Sequence, residues 1–522
     1  MKNYLYTLWL LLLFLPAKAQ LNSTFTHYSQ ENGLSENTVM SIVQDHDGML
    51  WFATWDGINR FDGYDFHVYK ARKSNDVNWA SNRIDYLYVD AQGDIWCIAY
   101  DGHAFRFDKR METFIEVPAE DSDKDLVYTS IEPLANGTVW LLTDDNGGMR
   151  VRTEAHTGKI LSERWLSATA SNQATRINAV FLDSKGNEWL LTGNGLQRIS
   201  PEGKRNAYFT DTENNWSSQP FFAAIQQGEC LYFTSKQGRI WTYSLKDDTF
   251  TLHELPYPDD ISHISTLPDK RLALTMKHQG VLLTDSLLHP LRFYGSTKEV
   301  DFSQSPIQNT YIDRYGEIWI AIDRIGCVCH INPYTETFRF EQMKVEQDAA
   351  DRSVPVFAIC EDSYGNVWVH PVGGGLAWFD RTHNKLLPFY DEAGSPDWRF
   401  SNKLHAMTVD RQGNLWLGTH SKGLEKISFF NNRFHLIKPL SCNYDTNANQ
   451  VRALCEDSEG RIWTGTRDGK ISIYSAEFEL IGHLTSDGHI SATGTPLIAS
   501  AYQIIEDSKG IIWIASKGNG IF

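Results

Sequence analysis

The sequence predicts an all-β chain: a seven-bladed β-propeller followed by an incomplete second β-propeller of the same repeat. Three observations carry this. The phrase Asp-x-x-Gly-x-(apolar)-Trp recurs along nearly the whole chain, its copies are almost evenly spaced, and runs of helical period are largely absent.

The phrase first reads Asp45…Gly48…Trp51. It returns with Trp96, Trp189, Trp319, Trp368, Trp416, Trp463 and Trp513, each preceded by its Asp and Gly. The copy at Trp140 keeps Gly137 but has Leu134 in place of Asp. Neighbouring tryptophans stand 44 to 50 residues apart. The gap between Trp189 and Trp319 hides two worn copies, with Tyr232 and Ala273 in the Trp position, making eleven units.

One unit reads as four strands. Val39 to Gln44 alternates, and Asp45 to Gly48 is a tight turn in which Asp bonds its own downstream backbone and Gly supplies positive φ. Met49 to Thr54 is the second strand. Trp55-Asp56-Gly57 turns the chain again, and Ile58 to Phe61 and Phe66 to Tyr69 follow as third and fourth strands. A unit of this size is one propeller blade, unable to bury both faces alone. The repeated Asp, Gly and Trp are therefore expected to be turn and inter-blade packing residues.

Seven units end with Trp319 and four begin with Trp368. Phe25 to Tyr28 and Thr337 to Phe340 both look like spare fourth strands. The expected arrangement has Phe25 to Tyr28 closing the seventh blade, with Thr337 to Phe340 passing into the second ring. The domains are then 1–19, a signal peptide; 20–336, the first propeller; and 337–522, about three and a half blades of the second. Because the last unit stops at Gly520-Ile-Phe522, part-way into its third strand, a truncated chain is expected.

The chain has 522 residues, 42% hydrophobic and 13% aromatic, with a formal net charge of −17. That balance argues against nucleic acid as a partner. Lys2, the apolar stretch from Tyr4 to Leu15 and the A-x-A site Ala17-Lys18-Ala19 predict export to the periplasm through a signal peptide, with an uncleaved anchor as the alternative. The seven cysteines follow no disulfide framework. Cys97, Cys360 and Cys455 fit buried thiols. Cys327-Val-Cys329-His330 lacks a second ligand pair, so neither metal nor cofactor is expected.

The units resemble the two-component-regulator propeller repeat. The pattern is clearest from Asn402 through Asp410, Gly413, Trp416 and Thr419 to Gly423, and again from Asn449 through Asp457, Gly460 and Trp463 to Thr466. The leader Glu31-Asn-Gly33-Leu-Ser35-Glu-Asn37-Thr-Val39 is similar to the start of such sensors. The resemblance implies the periplasmic sensor of a Bacteroidetes-type hybrid two-component system, in which two propellers and an immunoglobulin-like domain precede a membrane helix, a histidine kinase, a receiver and a DNA-binding domain. It implies an oligosaccharide ligand, membrane contact only through segments beyond these residues, and a homodimer as one assembly of the full-length sensor. No transmitter part lies in this sequence, so kinase activity is not expected of it.

The second-to-third and fourth-to-first connections are expected on one face. They carry the ligand-binding candidates Trp55, Arg83, Tyr100, Arg176, His278, Asp323 and Arg324, with Asp56, Asp101, Asp144-Asp145-Asn146 and Lys277 nearby. Aromatic rings stack on the C–H faces of sugars, and guanidinium forks bond hydroxyls or acidic groups. In the second ring Trp378, His420, Lys422 and Arg467 are weaker candidates. Two other functions compete: a glycan lyase or sialidase, and a protein-interaction scaffold. A sialidase needs an arginine cluster with a Tyr nucleophile and acidic partners, which Arg83 and Arg176 alone do not make. No Ser/His/Asp or metal constellation has supporting spacing.

Overall fold

The computed structural model describes residues 23–70, 81–117, 126–144, 147–154, 158–165, 176–208, 219–343, 357–371, 376–390, 404–429, 447–476 and 478–522. The expected signal peptide lies outside them. Eleven antiparallel sheets stand among the described residues, with no α-helix. The chain is all-β, as expected, and both worn copies form four-stranded sheets of their own. The chain divides into two compact units, with the boundary between Phe429 and Phe430.

The sheet of Trp51 shows how each copy folds. Its strands are Val39–Gln44, Leu50–Thr54, Gly57–Phe61 and Phe66–Tyr69, in meander order. The Asp of the phrase does more than turn the chain. Asp45 Oδ1 accepts from the backbone N–H groups of Asp47 and Met49 at 2.9 and 3.0 Å, and Oδ2 accepts from the Trp51 indole at 2.8 Å. An ionised carboxylate has lone pairs for all three donors, where an amide would turn a donor toward one of them. The same indole–carboxylate bond, at 2.7 to 3.1 Å, recurs at Trp96, Trp189, Trp319, Trp368, Trp416, Trp463 and Trp513.

The Trp140 sheet, lacking that Asp, borrows an acid from its neighbour. Glu188 Oε2 accepts from the Trp140 indole at 2.9 Å and from Arg150 Nε at 2.9 Å, while Oε1 accepts from Arg150 Nη2 at 2.6 Å and from the Thr138 hydroxyl at 3.0 Å. The cross-strand partner of the tryptophan is often basic: Arg60, Arg106, Arg150, Arg198, His330 and Lys426. Arg198 and Lys426 each lie 5.5 Å from their indole rings, and His330 stacks on Trp319 at 4.2 Å.

Burial of the phrase residues fixes the order of the sheets. Trp51 packs on Ile95 and Phe107 of the second sheet, Trp96 on Val139 and Leu141 of the third, and Trp140 on Leu190 of the fourth. Trp189 packs on Phe233, Tyr232 on Leu272 and Leu274, and Ala273 lies in one cluster with Ile318 and Ile320. Trp319 continues onto Val367 and Val369, Trp368 onto Leu415 and Leu417, and Trp416 onto Leu50 and Phe52 of the first sheet. The ninth sheet therefore packs on the first.

This corrects the expected count of seven blades and the boundary at 336/337. The strand Ser23–Tyr28 pairs antiparallel with Leu424–Phe429 in the Trp416 sheet, with Phe25 opposite Ile427. The strand Thr337–Gln342 stays with its own sheet, paired with Cys327–Asn332 beside Trp319. Tyr28 lies on Trp416 at 5.8 Å and 18°, just as the fourth-strand residue Tyr69 lies on Trp51 at 5.8 Å and 21°. The Trp368 and Trp416 sheets thus belong to the first unit. The alternation that marks a fourth strand is identical whichever edge it pairs with, so the local pattern could not choose the seam. The second unit holds the five-stranded Trp463 sheet and the three-stranded Trp513 sheet.

Candidate functional site

Three short loops and two strand beginnings meet where the ninth, first and second sheets adjoin. The first loop is Thr54-Trp55-Asp56-Gly57. Thr54 Oγ1 donates to the Gly57 carbonyl at 2.8 Å and accepts from Asp56 N–H at 3.1 Å. Gly57 has φ of 111°, and a Cβ there would sit 2.5 Å from the Tyr69 carbonyl oxygen, so only glycine fits. Its N–H donates to the Asn82 carbonyl at 2.7 Å, and Tyr100 N–H donates to the Arg83 carbonyl at 2.9 Å. Backbone bonds therefore hold Trp55, Arg83 and Tyr100 in fixed relation. Asp56 is occupied, pairing with Lys70 and accepting from Asn82 Nδ2 at 2.9 Å.

The Arg83 guanidinium lies 4.2 Å from the Tyr100 ring centre and 5.0 Å from that of Trp55. Its Nε donates to Asp85 Oδ1 at 3.0 Å. Trp55 meets the edge of His420, ring centres 5.7 Å apart at 89°, and His420 Nδ1 lies 3.0 Å from His405 Nε2. Burial, then the neighbouring His420 and Arg83, lowers the His405 pKa to about 4, so this ring is neutral at pH 7.

Sequence reasoning found Trp55, Arg83, Tyr100 and His420 but assigned His420 to another ring. It missed Asp85 and His405. Both occupy the register break of a first strand, between Ile84 and Tyr86 and between Leu404 and Ala406. Such breaks recur in the first strands at Val39/Ser41, Ile177/Ala179 and Ile307/Asn309. A bulge re-aims one side chain per strand. The second residue of each first strand was the signal available.

The other candidates lie apart. Arg176 is exposed at the head of the fourth sheet, where its carbonyl accepts from Gly193 N–H. His278 is bound to Asp259 through its backbone N–H at 2.6 Å and Nδ1 at 3.1 Å. Asp323 N–H donates to the Pro306 carbonyl, and Arg324 donates to the Glu299 carbonyl at 3.0 Å while covering Phe340. Lys277 joins its loop to Asp260 and Ile307 through backbone bonds. Lys422 N–H donates to Thr419 Oγ1. Trp378 is a core residue between the eighth and ninth sheets, and Arg467 sits in the second unit bonded to Gln450. Asp101 Oδ1 accepts from His103 N–H, while its Oδ2 is buried without a hydrogen-bond partner among the described residues. Asp145 and Asn146 lie outside the described residues; Asp144 is described and exposed.

Among the described residues no group of three or more His, Cys, Asp or Glu side chains could hold a metal ion. Cys97, Cys327 and Cys329 are buried free thiols, while Cys360 and Cys455 are only partly buried. In the second unit an open recess of about 400 Å³ is lined by Tyr502, Ala515, Ser516 and Lys517. It lies on the last sheet, whose Trp513 is 45% exposed where the other phrase tryptophans are buried.

Residues 33–56, 400–421 and 446–468 match the family model described as two component regulator propeller. The first two segments contain Trp55, His405 and His420. A 49-residue stretch is 43% identical to histidine kinase P4 of Formosa agariphila, covering 9% of this chain and 4% of that relative. The extracellular domain of a B. thetaiotaomicron hybrid two component system aligns at 21% identity over 96% of this chain and 70% of its own, with a TM-score of 0.35. A streptogramin B lyase aligns at 14% over 79% of this chain and 100% of its own, also with a TM-score of 0.35. Similarities this low leave the functional reading to the residues of the chain itself.

Proposed function

From a chain that carries two component regulator propeller repeats, we propose a ligand-sensing region of an exported hybrid two-component sensor, a binding module without catalysis. The observation that carries this reading is the ring-flanked Arg83 between Trp55 and Tyr100, beside the His405–His420 pair. The exposed rings of Trp55 and Tyr100 suit the C–H faces of a sugar, and the fixed loops present them with little ordering left to do on binding. An oligosaccharide is the ligand class we assign. Export to the periplasm follows from the N-terminal apolar stretch, and signal output belongs to a histidine kinase outside these residues.

The reading is tested by calorimetry and thermal shift against a panel of neutral and acidic oligosaccharides. Trp55→Ala is expected to weaken the binding oligosaccharide about tenfold or more, with little change in melting temperature, because the ring is 40% exposed. Hydrolysis or elimination of any panel member by the purified chain would overturn the non-catalytic assignment.

A further inference from the structure

We propose that the ligand carries an acidic group, a carboxylate or sulfate of a charged oligosaccharide, seated against Arg83 beside His405 and His420. This rests on the sensor reading above and names the chemistry of its ligand.

Arg83 is built as a fork. Two rings flank its guanidinium at 4.2 and 5.0 Å, and Asp85 takes only the Nε–H. Among the described residues neither terminal nitrogen has a hydrogen-bond partner, and about a third of the side chain is exposed. A guanidinium held between two rings with both terminal nitrogens open matches two oxygens of one planar acid group. A hydroxyl also fits, but a charge-assisted bond is about twice as strong as a neutral one.

The surroundings tilt the same way. Arg83 of the second sheet brings a fixed positive charge, and the ring nitrogens of His405 and His420 from the ninth sheet stand beside it. Of the nearby carboxylates, Asp85 is bound to Arg83, Asp56 to Lys70 and Asn82, and Asp101, next to Tyr100, to the His103 N–H. Burial first, and then His420 and Arg83, keep His405 uncharged, while Arg83 meets its counter-charge Asp85 through the Nε–H alone. An incoming anion supplies acceptors for the two terminal nitrogens. A metal cation would meet the charge of Arg83 instead, which argues against the histidine pair as a metal site. The rings of Trp55 and Tyr100 then take the sugar face next to the acid.

Calorimetry with trigalacturonate, its methyl ester and a sulfated disaccharide tests this and separates carboxylate from sulfate. The wild-type chain is expected to bind one of the two acids at least about tenfold more tightly than the ester. In Arg83→Gln that preference should fall to within about twofold, and Arg83→Lys should keep part of it, with circular dichroism and melting temperature unchanged in both. Equal binding of acid and ester, or tight binding of neutral panel sugars alone, overturns the acidic-group assignment and leaves the sensor reading standing. Equal loss of acid and ester binding in Arg83→Gln also overturns it. Failure of every panel oligosaccharide to bind sinks both.

Discussion

Replacing Glu188 by leucine is expected to destabilise the first unit by about 3–5 kcal/mol, read as a shift of the urea unfolding midpoint. Glu188 is 1% exposed at its side chain and Arg150 8%, so the substitution leaves a buried guanidinium with only the more distant carboxylate of Glu163, 3.9 Å from its Nη1. It also orphans the Trp140 indole and the Thr138 hydroxyl. The double variant Glu188→Leu with Arg150→Met should recover much of the loss, because it removes the charge with its partner. A pH signature accompanies this. Burial raises the Glu188 pKa, but Arg150, Trp140 and Asn136 together outweigh burial and hold it below the usual value. A carboxylate with a lowered folded pKa stabilises fully above its unfolded pKa of about 4.3. That contribution disappears as pH falls through the lowered folded value. Glu188→Gln should therefore be less stable than wild type at pH 7 and should lose less on acidification to pH 3.

The second large effect is a contrast between two copies of one phrase. Trp416→Ala is expected to cost about 3–5 kcal/mol. Trp416 is 1% exposed and packs with Tyr28, Phe52 and Phe61, so its loss opens a cavity at the seam between the ninth and first sheets. Trp513→Ala should cost less than half as much, because that ring is 45% exposed while keeping the same bond to its Asp. Equal costs would mean that sheet-on-sheet packing is not what the repeated tryptophan supplies.

Much of the fold was legible because it is repetitive. The Asp45–Gly48 turn, the strand bounds around Trp51 and the worn sheets at Tyr232 and Ala273 all follow from local pattern. What the pattern lacks is any mark of partnership at a distance. Phe25 to Tyr28 reads as a fourth strand, but its partner, Leu424–Phe429, lies some four hundred residues away. Nothing in the alternation says which open edge will be nearest when the sheets close. The site suffered from the same gap. Trp55, Arg83 and Tyr100 could be picked as loop residues of adjacent units, and backbone bonds do bring them together. His420 could reach them only through a seam placed at the ninth sheet. Asp85 and His405 were hidden because a bulge, invisible in composition, re-aims one residue in each first strand. Conversely, Trp378, an aromatic near a loop, turned out to fill the core.

That seam carries the whole account, since it alone joins His405 and His420 to Trp55. It is tested most directly by a double variant, Thr24→Cys with Ser428→Cys, oxidised in the folded state and mapped by mass spectrometry. The two positions are directly opposed across the closing pair, at a separation that antiparallel neighbours share with disulfides. The predicted result is a single peptide link between positions 24 and 428. A link from position 24 to Cys327 or Cys329, in the third strand beside Trp319, would contradict the account and place closure at the seventh sheet.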